Sequence, residues 1–404
     1  MIPILYDKYE TDFLSNGLGQ LGDCLTCTVT EEINGIYELE FTYPMSGAYY
    51  EQLINYGGVV ACTHDHNGDV QLFDIYKYSA PIDGIVTFYG SHVSYRLGDY
   101  IYGGPPIIIP DGRVALDFIF ETWTYQTANA LFLPLGSFTF HNETTYTEKG
   151  GYFGNALRYY VVKDAMFNTS DDNRFFGGGS IMQRWKGEWK FDNFDAYYYD
   201  RGFRGDMRGV QIRYGKNMTA VQRERDTSNI VSVIVAYWSN SDQSVTHIYD
   251  PVYYSKMETD TSPWYANGEQ MFSGDVFFFK PPIIHAGMLD ISSEFQTQPL
   301  QKQVDNYCQT YMGKNSTWKA NDNITVEFLD LYGTPEYENI QGLSDCRLGD
   351  FVSILYPQLG IVSPEVEIMS LTYDVLADRV IQMQLNTIRT TLAQVIIDTI
   401  GGAK

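Results

Sequence analysis

The sequence predicts a mainly β fold with α+β insertions, in which two similar small β-barrels are interrupted by two inserted mixed domains. Three observations carry this expectation. Runs rich in Val, Ile, Tyr and Trp alternate with period 2 and are separated by short turn signals. Two stretches of different character, 104–208 and 241–319, break the series. The segment Gly58–Gly90 also lays over Asp350–Leu385 as strand, loop, long strand, polar turn, strand, an internal echo that suggests two related barrels.

Taken in order, residues 1–103 are read as the first barrel. Its strands are Leu25–Thr30, Tyr37–Tyr43, Val59–Thr63, Val70–Tyr78 and Ile85–Tyr89, with turns at Asn34–Gly35, His66–Asp69 and Pro81–Gly84. Residues 104–208 form an inserted α+β domain. There Asp111-Gly-Arg leads into a helix with Val114, Leu116, Phe118, Ile119 and Trp123 on one face, and 155–167 is a second helical candidate. The glycines before Ser180 read as a turn, since no lysine follows at the spacing of a phosphate loop. Glu188–Tyr199 and Gly209–Tyr214 read as two aromatic-rich strands, followed by the Gly-Lys-Asn turn, a run Met218–Arg223 and a β-branched run ending at Trp238.

The second barrel is assigned to 209–240 together with 320–388, and 241–319 to an inserted mixed domain. In that insertion a helix is expected to begin near Asp290 and run through Pro299, with Leu300, Val304, Tyr307, Cys308 and Tyr311 as its core stripe and Gly313 as its end. Residues 389–404 read as a C-terminal helix or tail.

Composition bounds the function. With 404 residues, 44% hydrophobic and 15% aromatic, the chain suits two to four folded domains. No apolar run reaches the ~18 residues that would predict a membrane-spanning helix, and the opening MIPILYDKYE has no secretory-signal pattern. Against 27 Lys and Arg stand 50 Asp and Glu, a net charge of −23. Proteins that hold nucleic acid neutralise phosphates, so this balance argues against stable DNA or RNA binding and suits a surface that DNA passes without sticking.

No residues are assigned catalytic, cofactor-binding or metal roles. The five cysteines are expected to be reduced, and Cys24 and Cys27, three apart, are expected to face opposite ways on a strand. Cys62, His64 and His66 alternate with a spacing that suits a metal, but the following Asn-Gly-Asp marks His64–Asp69 as a solvated loop tip. His92, His141, His247 and His285 are scattered, and Cys308 and Cys346 are isolated. The adjacent carboxylates Glu31–Glu32 and Asp171–Asp172 face apart on a strand, the pattern of solvated faces and not of glycosidase acids. Trp238, Trp264 and Trp318 are candidates for stacking on sugars, which leaves a carbohydrate-binding protein as an alternative, and a peptidoglycan hydrolase as a weaker one.

A longer pattern is more specific. Gly187, Glu188, Asp192, Asn193, Arg201, Gly202, Arg208, Gly209, Val210, Ile212, Arg213, Tyr214, Gly215, Lys216, Asn217, Thr219, Asp226, Ser228 and Asn229 follow one another in the order gE–DNF–RG–RG–V–IRYGKN–T–DxSN. The opening strand Ile2–Tyr6, the stretch Glu31–Pro44 and Gln71–Tyr78 belong to the same pattern. Over essentially the whole chain this resembles the tail-tip baseplate hub of phages and prophages of Gram-positive bacteria, the prophage tail endopeptidase or tail-associated lysin family. That family is similar in fold to the central spike-holding hub of contractile phage tails.

The resemblance implies a multidomain structural hub at the distal end of a tail. Such a hub is a homotrimer whose barrels form a ring that caps or continues the tail tube. It implies contacts with the distal tail protein, the tail tube, receptor-binding or fibre proteins and the tape measure protein, and transient passage of DNA without specific binding. It also implies a place in the virion after synthesis in the host cytoplasm, with no cofactor. Longer relatives carry a C-terminal wall-degrading domain; this chain ends at RTTLAQVIIDTIGGAK, so no enzymatic activity is expected.

Overall fold

The computed structural model describes residues 1–79, 83–128, 137–149, 159–167, 176, 179–226, 231–240, 244–253, 256–257, 271–273, 276–278, 286–292, 294–315, 317, 321–331, 345–356 and 361–386. The chain divides into two compact units, one of 1–222 with 324–386 and one of 223–323 with 387–404.

The first unit begins with strands β1 (Ile4–Tyr6), β2 (Gly19–Gln20), β3 (Thr26–Glu32) and β4 (Tyr37–Pro44), and a short helix α1 (Tyr50–Tyr56). Strands β5 (Val59–Thr63), β6 (Val70–Tyr78) and β7 (Ile85–His92) follow. Burial alternates residue by residue along β3 and β4, as the period-2 pattern requires when one face meets a core. The next elements are β8 (Ile101–Tyr102), α2 (Ala115–Ala128), β9 (Thr139–Glu143), β10 (Tyr160–Val161), α3 (Val162–Phe167) and α4 (Ile181–Trp185). Then come β11 (Glu188–Asp192), β12 (Asp195–Tyr199), β13 (Met207–Arg213) and β14 (Met218–Asp226).

In the second unit β15 (Val233–Ser239) is central. It pairs antiparallel with β16 (Thr246–Ile248) and β17 (Val252–Tyr253), and parallel with β21 (Ala286–Asp290). A separate three-stranded sheet holds β18 (Lys256–Met257), β19 (Met271–Ser273) and β20 (Val276–Phe278). Helix α5 (Gln301–Asn315) packs Val304, Cys308 and Met312 with Ile234, Ala236 and Leu289. The helix does not begin at Asp290, which ends β21 and accepts from both the N–H and the hydroxyl of Ser292. Pro299, which has no N–H, lies just ahead of the helix, Leu300 is 74% exposed and off the core stripe, and the helix runs past Gly313 to Asn315.

The chain returns to the first unit with β22 (Asn321–Phe328), β23 (Phe351–Tyr356), β24 (Ile361–Asp374) and β25 (Arg379–Asn386). The internal echo is visible as two antiparallel meanders, β5–β6–β7 and β23–β24–β25. They do not form two closed barrels. A 13-stranded sheet runs β14-β22-β25-β24-β3-β4-β7-β6-β5-β1-β2, with β23 and β13 branching from β24, and no barrel closes among the described residues.

The cause is the length of β24. Its first half pairs with β23, its second half pairs with β3 through Ser370–Glu32, Thr372–Thr30 and Asp374–Thr28, and β25 lies on its other edge. One strand of the second meander is therefore continuous, through β3 and β4, with the first. A single apolar cluster follows, holding Phe41, Phe73 and Phe88 together with Val210, Ile212, Val352, Tyr373 and Leu385. Each large apolar side chain buried there contributes ~1.5–3 kcal/mol.

The inserted part of this unit has its own aromatic core around Trp123, Phe138, Trp185, Trp189 and Tyr198. Helix α2 buries Leu116, Ile119, Phe120 and Trp123, whereas Phe118 is half-buried beneath the Arg113 guanidinium. The expected helix over 155–167 is shorter: Tyr160–Val161 pairs with β8, and only Val162–Phe167 is helical, with 155–158 outside the described residues. Ser180 caps α4 through a reciprocal bond pair with Gln183. Gly177 and Gly178 lie outside the described residues.

Candidate functional site

The long sequence pattern lies in the first unit from Gly187 to Thr219, with Asp226 in the second unit and Ser228 and Asn229 outside the described residues; its first-unit part forms a polar seam linking the aromatic insertion to both meanders. Glu188–Tyr199 is not one strand but a hairpin, because Asn193 takes a left-handed φ of 50° and sets Asp192 opposite Asp195. The hairpin tip docks on β6. The Asn193 N–H donates to Gln71 Oε1 at 2.9 Å, Asn193 Nδ2 donates to the Val70 carbonyl at 2.8 Å, and Gln71 Nε2 donates to Asp192 Oδ1 at 2.9 Å.

His92 fixes this amide from the other side. Its Nδ1 accepts from the Ser94 N–H at 3.2 Å, so the proton sits on Nε2, which donates to Gln71 Oε1 at 3.1 Å. Burial, reinforced by His64 and Arg96, pushes the His92 pKa well below the ordinary imidazole value, so the ring is neutral. At the base of the hairpin Asn34, left-handed in the β3–β4 turn, makes a two-point contact. It donates to the Gly187 carbonyl at 3.2 Å and accepts from the Trp189 N–H at 2.9 Å.

The RGFRGD segment, Arg201–Asp206, closes the seam. The Gly202 N–H donates to Glu188 Oε1 at 2.9 Å. Arg204 pairs with Glu31 and donates from Nη1 to the Trp189 carbonyl at 2.8 Å; the paired side chains are only 5% and 9% exposed. The Asp206 N–H donates to Asp350 Oδ1 at 2.8 Å, and the Phe351 N–H donates back to the Asp206 carbonyl at 3.0 Å. A Cβ on Gly205 would lie 2.2 Å from the carbonyl carbon of Gly349, so only glycine permits this approach.

The IRYGKN part is structural in the same sense. Buried Asn217 accepts from the Arg213 N–H at 2.9 Å and donates to the Gln211 carbonyl at 3.0 Å, standing in for a missing strand beside β13. Around the seam lies a cavity of about 190 Å³ whose lining includes His64, Asp65, Lys190, Arg204, Asp206 and Arg347.

Several sequence expectations change here. Cys24 precedes β3 at a bend, so its thiol turns toward Cys27 instead of away from it, and the Cys27 thiol in turn meets Cys62. Contact with Cys27 and then burial push the Cys24 thiol pKa up. All five cysteines are free.

His66 is not on a solvated tip. Its Nε2 lies 2.6 Å from Asp330 Oδ2, with the two side chains 2% and 1% exposed, and Asp330 also accepts from the Val380 N–H. Burial pushes the His66 pKa down, but the bond to Asp330 and its charge outweigh burial and raise it. Cys62, His64 and His66 thus do not converge as ligands, and among the described residues no cluster of three His, Cys, Asp or Glu is arranged to hold a metal.

Glu31 and Glu32 face apart as expected, but Glu31 is buried against Arg204 and is not on a solvated face. His141 meets Asp195 at 2.8 Å and stacks on Tyr197, and His247 packs edge-on to Tyr249. Trp238 is 7% exposed and donates to the Phe295 carbonyl, which removes it as a sugar platform. Trp264, Trp318, His285, Asp171 and Asp172 lie outside the described residues. The docking roles of Asn34 and Gln71 gave no signal in the sequence, since both act across more than 100 residues.

The arrangement holds elements of the first unit together. No family model and no curated protein matches the chain. Among solved structures it is similar over nearly its whole length to the prophage tail protein gp18 from Listeria monocytogenes EGD-e. That match has 14% identity, covers 99% of this chain and 98% of the other, and has a TM-score of 0.53. A 43 kDa tail protein of prophage MuSo2 from Shewanella oneidensis matches at 11% identity, over 96% and 98% of the two chains, with a TM-score of 0.52. The chain shares the fold of these prophage tail proteins.

Proposed function

We propose that the chain is a structural hub at the distal end of a phage or prophage tail, built as a homotrimeric ring and without enzymatic activity. The observation that carries this reading is the end-to-end fold likeness to two prophage tail proteins. The seam supports it, because the residues most suggestive of a site are engaged in docking elements to one another. In this reading the ring contacts the tail tube, a distal tail protein, the tape measure protein and receptor-binding or fibre proteins, and DNA passes through it. The chain then resides in the virion tail.

One face of the large sheet supports the passage of DNA. Cross-strand registers line up Gln382, Thr372, Thr30, Glu38, Ser91 and Asp74 across β25, β24, β3, β4, β7 and β6. In the next row the cations Arg379 and Lys77 stand only at the two ends. Six strands spaced ~4.8 Å apart make a face ~24 Å wide. The row has no cation to neutralise a phosphate backbone, and its carboxylates Glu38 and Asp74 repel one.

Light scattering across protein concentrations tests the ring. Three copies of the 46.1 kDa chain give about 138 kDa, the expected mass. A stable dimer would refute the proposal, because two-fold symmetry does not build a three-fold ring.

A further inference from the structure

We propose that Glu367 is carried in the folded first unit as a neutral carboxylic acid, and that ionising it sets a second buried charge against Glu188 and loosens β24 and β11 around the two carboxyls. The argument starts from burial. Glu367 is 1% exposed on β24, between Phe351 of β23 and Asn386 of β25. It makes no hydrogen bond or ion pair among the described residues, and its Oε1 is fully enclosed. A carboxylate in that position would be an uncompensated buried charge, and such groups take up a proton instead.

The surroundings sharpen this. Glu188 on β11 is 2% exposed; one of its oxygens accepts from the Gly202 N–H, and the other is enclosed without a partner. Burial raises the Glu188 pKa, against the opposing pull of the Gly202 N–H, Arg204 and Arg201. For Glu367 burial first, and then the Glu188 charge, push the pKa up to about 8, while Arg201 and Arg204 oppose. Arg204 is engaged by Glu31, and the nearby Asp350 carboxylate accepts from the Asp206 and Arg347 N–H groups. The cluster therefore holds two enclosed carboxyls, and its buried arginine is already paired.

The sign follows from linkage. The folded pKa lies above the unfolded carboxylate value near 4.5, so between them the folded state holds the extra proton. Stability then falls as pH rises toward and through about 8.

The test compares wild type with Glu367→Gln, which keeps the shape and cannot ionise. Hydrogen exchange of β11 and β24 is followed from pH 5 to 9 after correction for intrinsic rates, together with the infrared band of a protonated carboxyl. The expected result is a loss of protection in wild type, relative to E367Q, of at least tenfold and up to ~10³ across that range. A protonated-carboxyl band present at pH 6.5 in wild type and absent in E367Q is expected with it. Equal pH dependence in the two proteins overturns the proposal. If E367Q does not fold, the wild-type spectrum decides: no protonated carboxyl at pH 6.5 overturns it as well.

Discussion

Replacing Gly205 with alanine isolates the close backbone approach that joins the RGFRGD segment to the second meander. The added Cβ would stand 2.2 Å from Gly349 C, 2.3 Å from Asp350 N and 2.4 Å from Gly349 O, where ordinary contact begins at 3.4 Å. The two chains must therefore part by about 1.2 Å. That displacement takes the 2.8 Å bond from Asp206 N–H to Asp350, and the 3.0 Å bond from Phe351 N–H to Asp206, beyond hydrogen-bonding range. Two bonds, one of them to a carboxylate, are worth ~3 kcal/mol, and residual strain adds ~1–3 kcal/mol. For a unit of this size a loss of ~4 kcal/mol lowers the melting temperature by ~10 °C. Gly22→Ala is the control, since nothing lies within 4 Å of the added Cβ. Differential scanning calorimetry on both variants reads the effect. If G205A melts within ~2 °C of G22A, the backbone contact is not what holds this corner.

Two further outcomes follow from the seam. Arg204→Met strands the Glu31 carboxylate in a buried site, so urea unfolding is expected to show a loss of ~3–5 kcal/mol; less than 1 kcal/mol would mean the pair is dispensable. For His92 the folded pKa lies below the unfolded one, so the unfolded chain binds the extra proton and stability falls as pH drops below about 6.5. Long-range ¹H–¹⁵N spectra should show the neutral Nε2–H tautomer at pH 6, and a ring that titrates near 6.5 would contradict the assigned network.

The strands were legible in the sequence because their signal is local: alternation along β3, β4 and β7 is set by one wet and one dry face. The echo between the meanders was legible for the same reason. What escaped is what depends on distant partners. The sharing of β24 by β23 and β3 decides between two barrels and one sheet, yet it turns on the pairing of Thr30 with Thr372. Likewise His66 reads as part of the solvated tip that Asn67, Gly68 and Asp69 do form, until Asp330, 264 residues on, comes to meet its ring. The seam was half legible: the sequence marked Asn34 as a turn residue and Gln71 as part of a strand, but nothing local marked their docking to the β11–β12 hairpin more than 100 residues away.

The pairing of β3 with β24 also sets a clock. Thr30 and Thr372 lie 342 positions apart, and the amino terminus donates to the carbonyl of Val375. At ~5–20 residues per second of synthesis, the edge of β3 waits ~20–70 s for its neighbour. Until β24 leaves the ribosome, the first half of the unit is an open sheet with an unmatched edge and half a core. The first unit is thus completed only once the chain has been made through β25, and a nascent chain has no finished surface to offer another copy before then.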